Sequence, residues 1–162
     1  MKSIELIATA AFGLEAVVAR EVKNLGYEEV RVEDGKVTFR ADLRAIARAN
    51  IWLRSADRVL LKLGAFPATT FEELFKGTRN LDWPAWLPKN ANFPVQGKSV
   101  RSKLFSVPDC QAIVKKAIVE KMKERYKVEW FEETGPRYSI EVAFLKDMAT
   151  LTIDTSGAGL HK

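Results

Sequence analysis

Between Ile4 and Phe66 the chain changes its hydrophobic period in an order that few folds accept. Ile4 to Thr9 alternates as a strand does. Phe12-Gly13-Leu14 then leads into a helix with Leu14, Val17, Val18, Val22 and Leu25 at three- and four-residue spacing, and Gly26 is placed to close it. Val30-Arg31-Val32 and Lys36-Val37-Thr38-Phe39 flank Asp34-Gly35, a pair that predicts a two-residue hairpin turn with positive φ at both positions. Asp42 can cap a second helix that presents Leu43, Ile46, Ala47 and Asn50 on one side. Val59 to Phe66, apolar on nearly every residue apart from Lys62, is a fourth strand. The order β-α-β-β-α-β predicts a ferredoxin-like domain over residues 1–66, with both helices on one face of its sheet.

A second α/β domain is expected over residues 67–154, so the fold class is α+β. Phe71 to Phe75 begins a short helix, and Thr70-x-x-Glu73 fits a capping box. Leu81 to Pro88 is broken by two prolines, and its Trp83 and Trp86 either pin the loop to the core or stack on nucleobases. Phe93 and Val95 have one strand parity and Val100, Ser102 and Leu104 the other, so a bulge is expected at Gly97. With Val100 and Leu104 inward, Arg101 and Lys103 point outward together, roughly 7 Å apart. The helix from about Asp109 buries Val114, Ala117, Ile118 and Met122 and exposes Lys116, Lys123 and Lys127, with Glu120 and Glu124 able to pair along it. Arg137 to Leu145 and Ala149 to Asp154 read as a hairpin turned at Lys146-Asp147, and residues 155–162 have linker composition.

Composition excludes several functions. Of 162 residues, 47% are hydrophobic and 29% charged, a balance that supports a packed core. The single histidine lies in the tail, which argues against a Ser-His-Asp or Cys-His catalytic arrangement, and no residues sit at metal-ligand spacing. No phosphate-binding or dinucleotide glycine motif occurs. The third strand of the first domain carries one aromatic, Phe39, and does not fit an RNA recognition motif. An acylphosphatase-like reading of the strand–loop–helix segment Gly13 to Arg20 is weak, since such an enzyme wants an arginine early in the loop and Arg20 falls well inside the helix. The lone Cys110 is expected to be a buried small hydrophobe. Without a run of about 18 apolar residues or a signal-peptide pattern, a cytoplasmic location and no membrane partner are expected.

The net charge of +5 favours an anionic partner. It is unevenly spread. From Lys98 to Lys127 the positive residues are Lys98, Arg101, Lys103, Lys115, Lys116, Lys121, Lys123, Arg125 and Lys127, against only Asp109, Glu120 and Glu124. Such a strand–helix unit is either a phosphate-binding surface or a solvated basic face.

Further residues carry a resemblance. They are Ile7-Ala8-Thr9-Ala10-Ala11-Phe12-Gly13-Leu14-Glu15, the run Asp42 to Asp57, Phe93-x-Val95, Arg101-Ser102-Lys103-Leu104, Gln111-x-x-Val114-Lys115-Lys116-Ala117-Ile118, and Asp154 to Lys162. In these the second unit resembles a THUMP domain. The whole chain resembles the N-terminal half of bacterial 23S ribosomal RNA methyltransferases that act on the guanine 2-amino group. The resemblance implies an RNA-binding, substrate-positioning module joined in cis to a C-terminal methyltransferase domain. Residues 155–162 would be the linker toward that domain. S-adenosylmethionine is implied for the catalytic domain, with no cofactor and no catalytic residue in this chain.

By the same resemblance Arg101 and Lys103, with Lys98 on the same basic strand, are expected to contact RNA phosphates. Lys115 and Lys116 would lie beside them, aided by the positive end of the helix dipole. Ser106 and Gln111 would hydrogen-bond phosphate or sugar. Two alternatives stay open: a THUMP module of a transfer-RNA-modifying enzyme, and a basic interaction domain that binds an acidic protein or lipid surface.

Overall fold

A computed structural model describes residues 3–127 and 132–155. The chain is α+β and forms two compact units, Met1–Lys62 with Asp154–Lys162, and Leu63–Ile153.

The first unit contains β1 (Ile4–Ala10), α1 (Glu15–Asn24), β2 (Val30–Glu33), β3 (Lys36–Ala41), α2 (Arg44–Trp52) and the first part of β4 (Ala56–Pro67). Its strand order is β2-β3-β1-β4, with every neighbouring pair antiparallel. This is the ferredoxin-like arrangement that the period switches predict. Leu6 pairs with both Phe39 and Leu61, and Ala8 with both Val37 and Val59, so one sheet face is a continuous apolar surface. Helix α1 turns Val18, Ala19 and Val22 inward, while Leu14 and Val17 stay exposed. Helix α2 buries Ala45, Ile46 and Ala49, so its inner stripe excludes the expected Leu43, which is exposed. Asp42 accepts the Arg44 N–H at 3.0 Å, and Leu43 takes the N-cap position.

On the opposite sheet face Glu5 gathers Arg31 at 2.9 Å, Lys62 at 3.4 Å and Arg40 at 3.7 Å. Arg40 also meets Glu29 at 3.0 Å. At the Asp34-Gly35 turn only Gly35 has positive φ (77°), so the expected pair of left-handed residues reduces to one. The Glu15 carboxylate accepts the N–H groups of Gly13 (2.7 Å) and Gly35 (2.9 Å), tying the start of α1 to this hairpin. Thr155, which linker composition places outside the fold, is fully buried in this unit. Its N–H and Oγ1 both donate to the Val59 carbonyl, at 3.0 and 2.6 Å, and Oγ1 accepts from Asn50 Nδ2 at 2.8 Å. The rest of the expected linker, 156–162, lies outside the described residues.

The second unit takes the end of β4, α3 (Phe71–Arg79), a 3-10 turn (Trp83–Ala85), β5 (Val95–Val100), α4 (Val107–Tyr126), β6 (Ile140–Leu145) and β7 (Met148–Asp154, its last residue in the first unit). Its strand order is β4-β7-β6-β5. β6 and β7 are antiparallel, whereas β5 and β6 are parallel and joined through α4. Helix α4 packs on β5, β6, α3 and the 3-10 turn. The buried stripe is Cys110, Val114, Ala117, Ile118 and Met122, the expected set with Cys110 added at its start.

Thr70 caps α3 by accepting the Glu73 N–H at 3.1 Å, and the Glu73 carboxylate in return accepts from the Thr69 N–H and hydroxyl. Trp83 is fully buried and its Nε1 donates to the Thr78 carbonyl at 2.8 Å, so this tryptophan pins the loop and offers no face to a base. No bulge forms at Gly97, because β5 stays in register with β6 from Val95 to Val100. The glycine answers a different need. A Cβ there would lie 3.2 Å from Val107 Cγ1 and 3.3 Å from Val142 Cγ1, where α4 crosses closely over the strand.

Candidate nucleic-acid interface

The basic strand expected to run through Lys103 stops at Val100. Arg101 has φ 50°, a left-handed conformation that turns the chain out of β5. Val100 is correspondingly exposed, and Arg101 and Lys103 stand on a loop instead of alternating along a strand. That loop is tied down on several sides. The Ser102 hydroxyl donates to the Val100 carbonyl at 3.0 Å and accepts the Asp147 N–H at 2.9 Å. The Lys103 N–H donates to Asp147 Oδ1 at 2.7 Å, and the Ser99 hydroxyl donates to the Leu104 carbonyl at 2.7 Å. Leu104 is buried. At the helix start, Ser106 donates through Oγ to Asp109 Oδ2 at 2.6 Å, and its carbonyl accepts the Cys110 N–H at 3.0 Å. Pro108 occupies the first turn, where its missing N–H leaves no intrahelical bond unmade.

The partner in this stitching is the β6–β7 turn. Lys146 and Asp147 have φ 49° and 65°, a hairpin turn made without glycine. The Lys146 N–H donates to the Val100 carbonyl at 3.2 Å. Lys146 therefore stands at the same end of the sheet as Arg101 and Lys103, a placement that sequence reading missed. Its only signal was the Lys146-Asp147 turn; the parallel pairing of Val100 with Leu145 supplies the rest.

The remaining candidates divide. Arg101, Lys103, Lys116 and Lys146 are exposed and have no ion pair among the described residues. Lys98 is exposed but lies 3.6 Å from Glu141. Lys115 is turned inward on its partners: it donates to the Phe93 carbonyl at 3.1 Å, pairs with Glu133, and sits 3.9 Å above the Phe93 ring. Gln111 Nε2 donates to the Val95 carbonyl at 3.0 Å. These two side chains satisfy the carbonyls of Phe93, just ahead of β5, and of Val95, its first residue, on the side that an edge strand leaves open. Further along α4, Lys121–Glu124 and Lys123–Glu120 pair at 4.0 Å each. The helix rise places Lys116 roughly 14 Å from Val107, so the unpaired cations extend from the loop along one helix.

Other chemistry is thin. Among the described residues no His, Cys, Asp and Glu group could hold a metal, and no helix is long and apolar enough to cross a membrane. Cys110 is buried, and burial, followed by the charge of Asp109, pushes its thiol pKa up and keeps it protonated.

Comparison with known proteins matches this division of the chain. The family described as "RlmL ferredoxin-like domain" matches residues 5–60, and the family "THUMP domain" matches residues 68–154. The chain is 56% identical to "Putative RNA methyltransferase YpsC" of Bacillus subtilis, with all of this chain but 42% of that protein covered. It is 31% identical to "Ribosomal RNA large subunit methyltransferase K/L" of Pseudomonas putida, covering 98% of this chain and 22% of that protein. A crystal structure from Listeria monocytogenes, titled as a predicted N6-adenine-specific DNA methylase, superposes with a TM-score of 0.92 at 59% identity, covering 95% of this chain and 40% of that one. The chain thus spans less than half the length of each of these relatives, and the part it spans is the pair of domains described above. It belongs to the THUMP domain family, with an RlmL ferredoxin-like domain preceding the THUMP domain.

Proposed function

We propose that this chain is the RNA-holding part of an S-adenosylmethionine-dependent methyltransferase that modifies the guanine 2-amino group in 23S ribosomal RNA. The observation that carries the reading is the tied-down loop from Arg101 to Ser106, from which cations project without an ion pair among the described residues. A loop already ordered by backbone and side-chain bonds loses little conformational freedom when a phosphate binds, so more of the electrostatic attraction appears as affinity. Arg101 and Lys103 are the primary contacts, Lys116 extends the track along α4, and Lys98 can exchange Glu141 for phosphate. The Ser106 hydroxyl, whose one proton is committed to Asp109, can accept at the helix start, as from a ribose hydroxyl. Lys115 and Gln111 hold α4 to β5 and act by keeping the loop in place.

Such a surface reads backbone charge and shape, because side chains cannot reach base edges in the deep major groove of A-form RNA. Sequence preference and methyl transfer then belong to a catalytic domain, and tethering raises the concentration of the target base beside it. The ribosomal assignment is supported by the RlmL-type first domain and by a relative named for large-subunit ribosomal RNA.

The test is binding of this chain to a fluorescent RNA hairpin, a matched DNA and heparin across a salt series. Each phosphate contact contributes about 0.7 to the negative log–log salt slope on single strands. The Arg101→Ala/Lys103→Ala/Lys116→Ala variant is expected to flatten the slope by about 2. A variant with the wild-type slope, or heparin bound as tightly as RNA, would remove this surface as the RNA site.

A further inference from the structure

Phe105 is 80% exposed in the middle of the tied-down loop. The residues on either side are fixed: Leu104 is buried with its carbonyl bonded to Ser99, and Ser106, at the N-cap position, donates its hydroxyl proton to the Asp109 carboxylate. The ring is therefore presented on a constrained backbone and is not packed back against the unit. Arg101 and Lys103 precede it in the loop, and Lys146 joins them through the bond from its N–H to Val100.

Resting on the RNA reading above, we propose that Phe105 is a stacking platform for an unpaired RNA base, with Arg101, Lys103 and Lys146 holding the adjoining phosphates. An aromatic ring among cations answers both faces of a single-stranded nucleotide: the base stacks on the ring while its phosphate meets the charge. A protein surface docked on Phe105 would have to bring carboxylates for these cations or leave them desolvated and unpaired. A base in a duplex is already stacked on its neighbours and cannot lie on the ring without being extruded. The site therefore selects unpaired nucleotides over paired ones, a preference that the cations alone do not supply.

The two contributions separate experimentally, because stacking releases no counterions. Wild-type chain, Phe105→Ala, Phe105→Leu, Phe105→Trp and Arg101→Ala/Lys103→Ala would be titrated with a single-stranded RNA containing 2-aminopurine and with a blunt RNA duplex. Phe105→Ala and Phe105→Leu are expected to weaken single-strand binding about tenfold with an unchanged salt slope. Both should lose the 2-aminopurine quenching, while duplex binding stays as in wild type. Phe105→Trp should keep the quenching, and Arg101→Ala/Lys103→Ala should flatten the slope. If the Phe105 variants bind and quench as wild type does while the arginine–lysine variant is weakened, stacking is wrong and the RNA reading survives. If the wild-type chain binds neither RNA, both fall. Phe105→Leu keeps apolar bulk without a ring, and thermal melting of each variant separates loss of stacking from loss of fold.

Discussion

Glu15 shows how much one carboxylate can organise when its acceptors meet N–H groups that the backbone leaves open. The N–H of Gly35, then that of Glu15 itself, lower its pKa below the usual glutamate range, against a smaller opposing effect of desolvation; Gly13 adds to the lowering. The charged form is thus favoured by folding. Its contribution is complete above the ordinary glutamate pKa and is lost as pH falls through the lowered value. Glu15→Gln is expected to lower the melting temperature by a few degrees at neutral pH, with the difference from wild type shrinking in acid. A difference that persists unchanged in acid would contradict the ionised-carboxylate account. Lys115 and Lys116 make the complementary point. They are adjacent and identical in charge, but about 100° of helical rotation turns one toward β5 and the other to solvent. The partners that occupy Lys115 lie 22 residues away at Phe93 and 18 away at Glu133, a separation that charge counting along the chain cannot see.

At the scale of elements, the interface depends on two turns holding each other. Asp147 connects them, accepting the Lys103 N–H through its carboxylate while its own N–H reaches Ser102. Bulk electrostatics and loop order predict opposite results for Asp147→Ala. Removing a negative charge beside the cations should tighten RNA binding, whereas freeing the Lys103 N–H and placing alanine at φ 65° should loosen the loop. Loop order is expected to prevail, with RNA affinity several-fold lower for Asp147→Ala and equal to or above wild type for Asp147→Asn. Asparagine keeps an acceptor and tolerates the left-handed region. Titration of both variants against the same RNA decides between them.

Elements built from local pattern were legible in sequence: the β-α-β-β-α-β order, the Thr70 cap, the Lys146-Asp147 hairpin and the apolar stripe of α4. Features set by distant neighbours were not. Gly97 reads as a bulge when only strand parity is considered, because the close crossing of α4 that requires it is a tertiary fact. The left-handed Arg101 ended β5 three residues before the pattern suggested, since alternation continued through a loop that solvent and Asp147 could accommodate. Lys146 joined the candidate site only through the parallel register of β5 with β6.

Over the whole molecule, a charge of +5 says little about where an anion would bind. Arg31, Arg40 and Lys62 on the charged sheet face of the first unit are spoken for by Glu5 and Glu29, whereas the cations of the β5–α4 loop have no such partner among the described residues. Arg31→Ala/Arg40→Ala removes as much charge as Arg101→Ala/Lys103→Ala. The first pair is expected to leave the RNA salt slope within error of wild type and the second to flatten it. Equal flattening by both would mean that overall charge, not this loop, carries the binding.

The burial of Thr155 against Val59 and Asn50 bears on how the chain matures. The first unit closes with a residue that a ribosome delivers only after everything from Leu63 to Ile153 has been made. At ordinary elongation rates that interval is on the order of ten seconds. Throughout it, the Val59 carbonyl and the Asn50 amide must find other partners or water. Of the two units, the one whose synthesis starts earlier is therefore completed later.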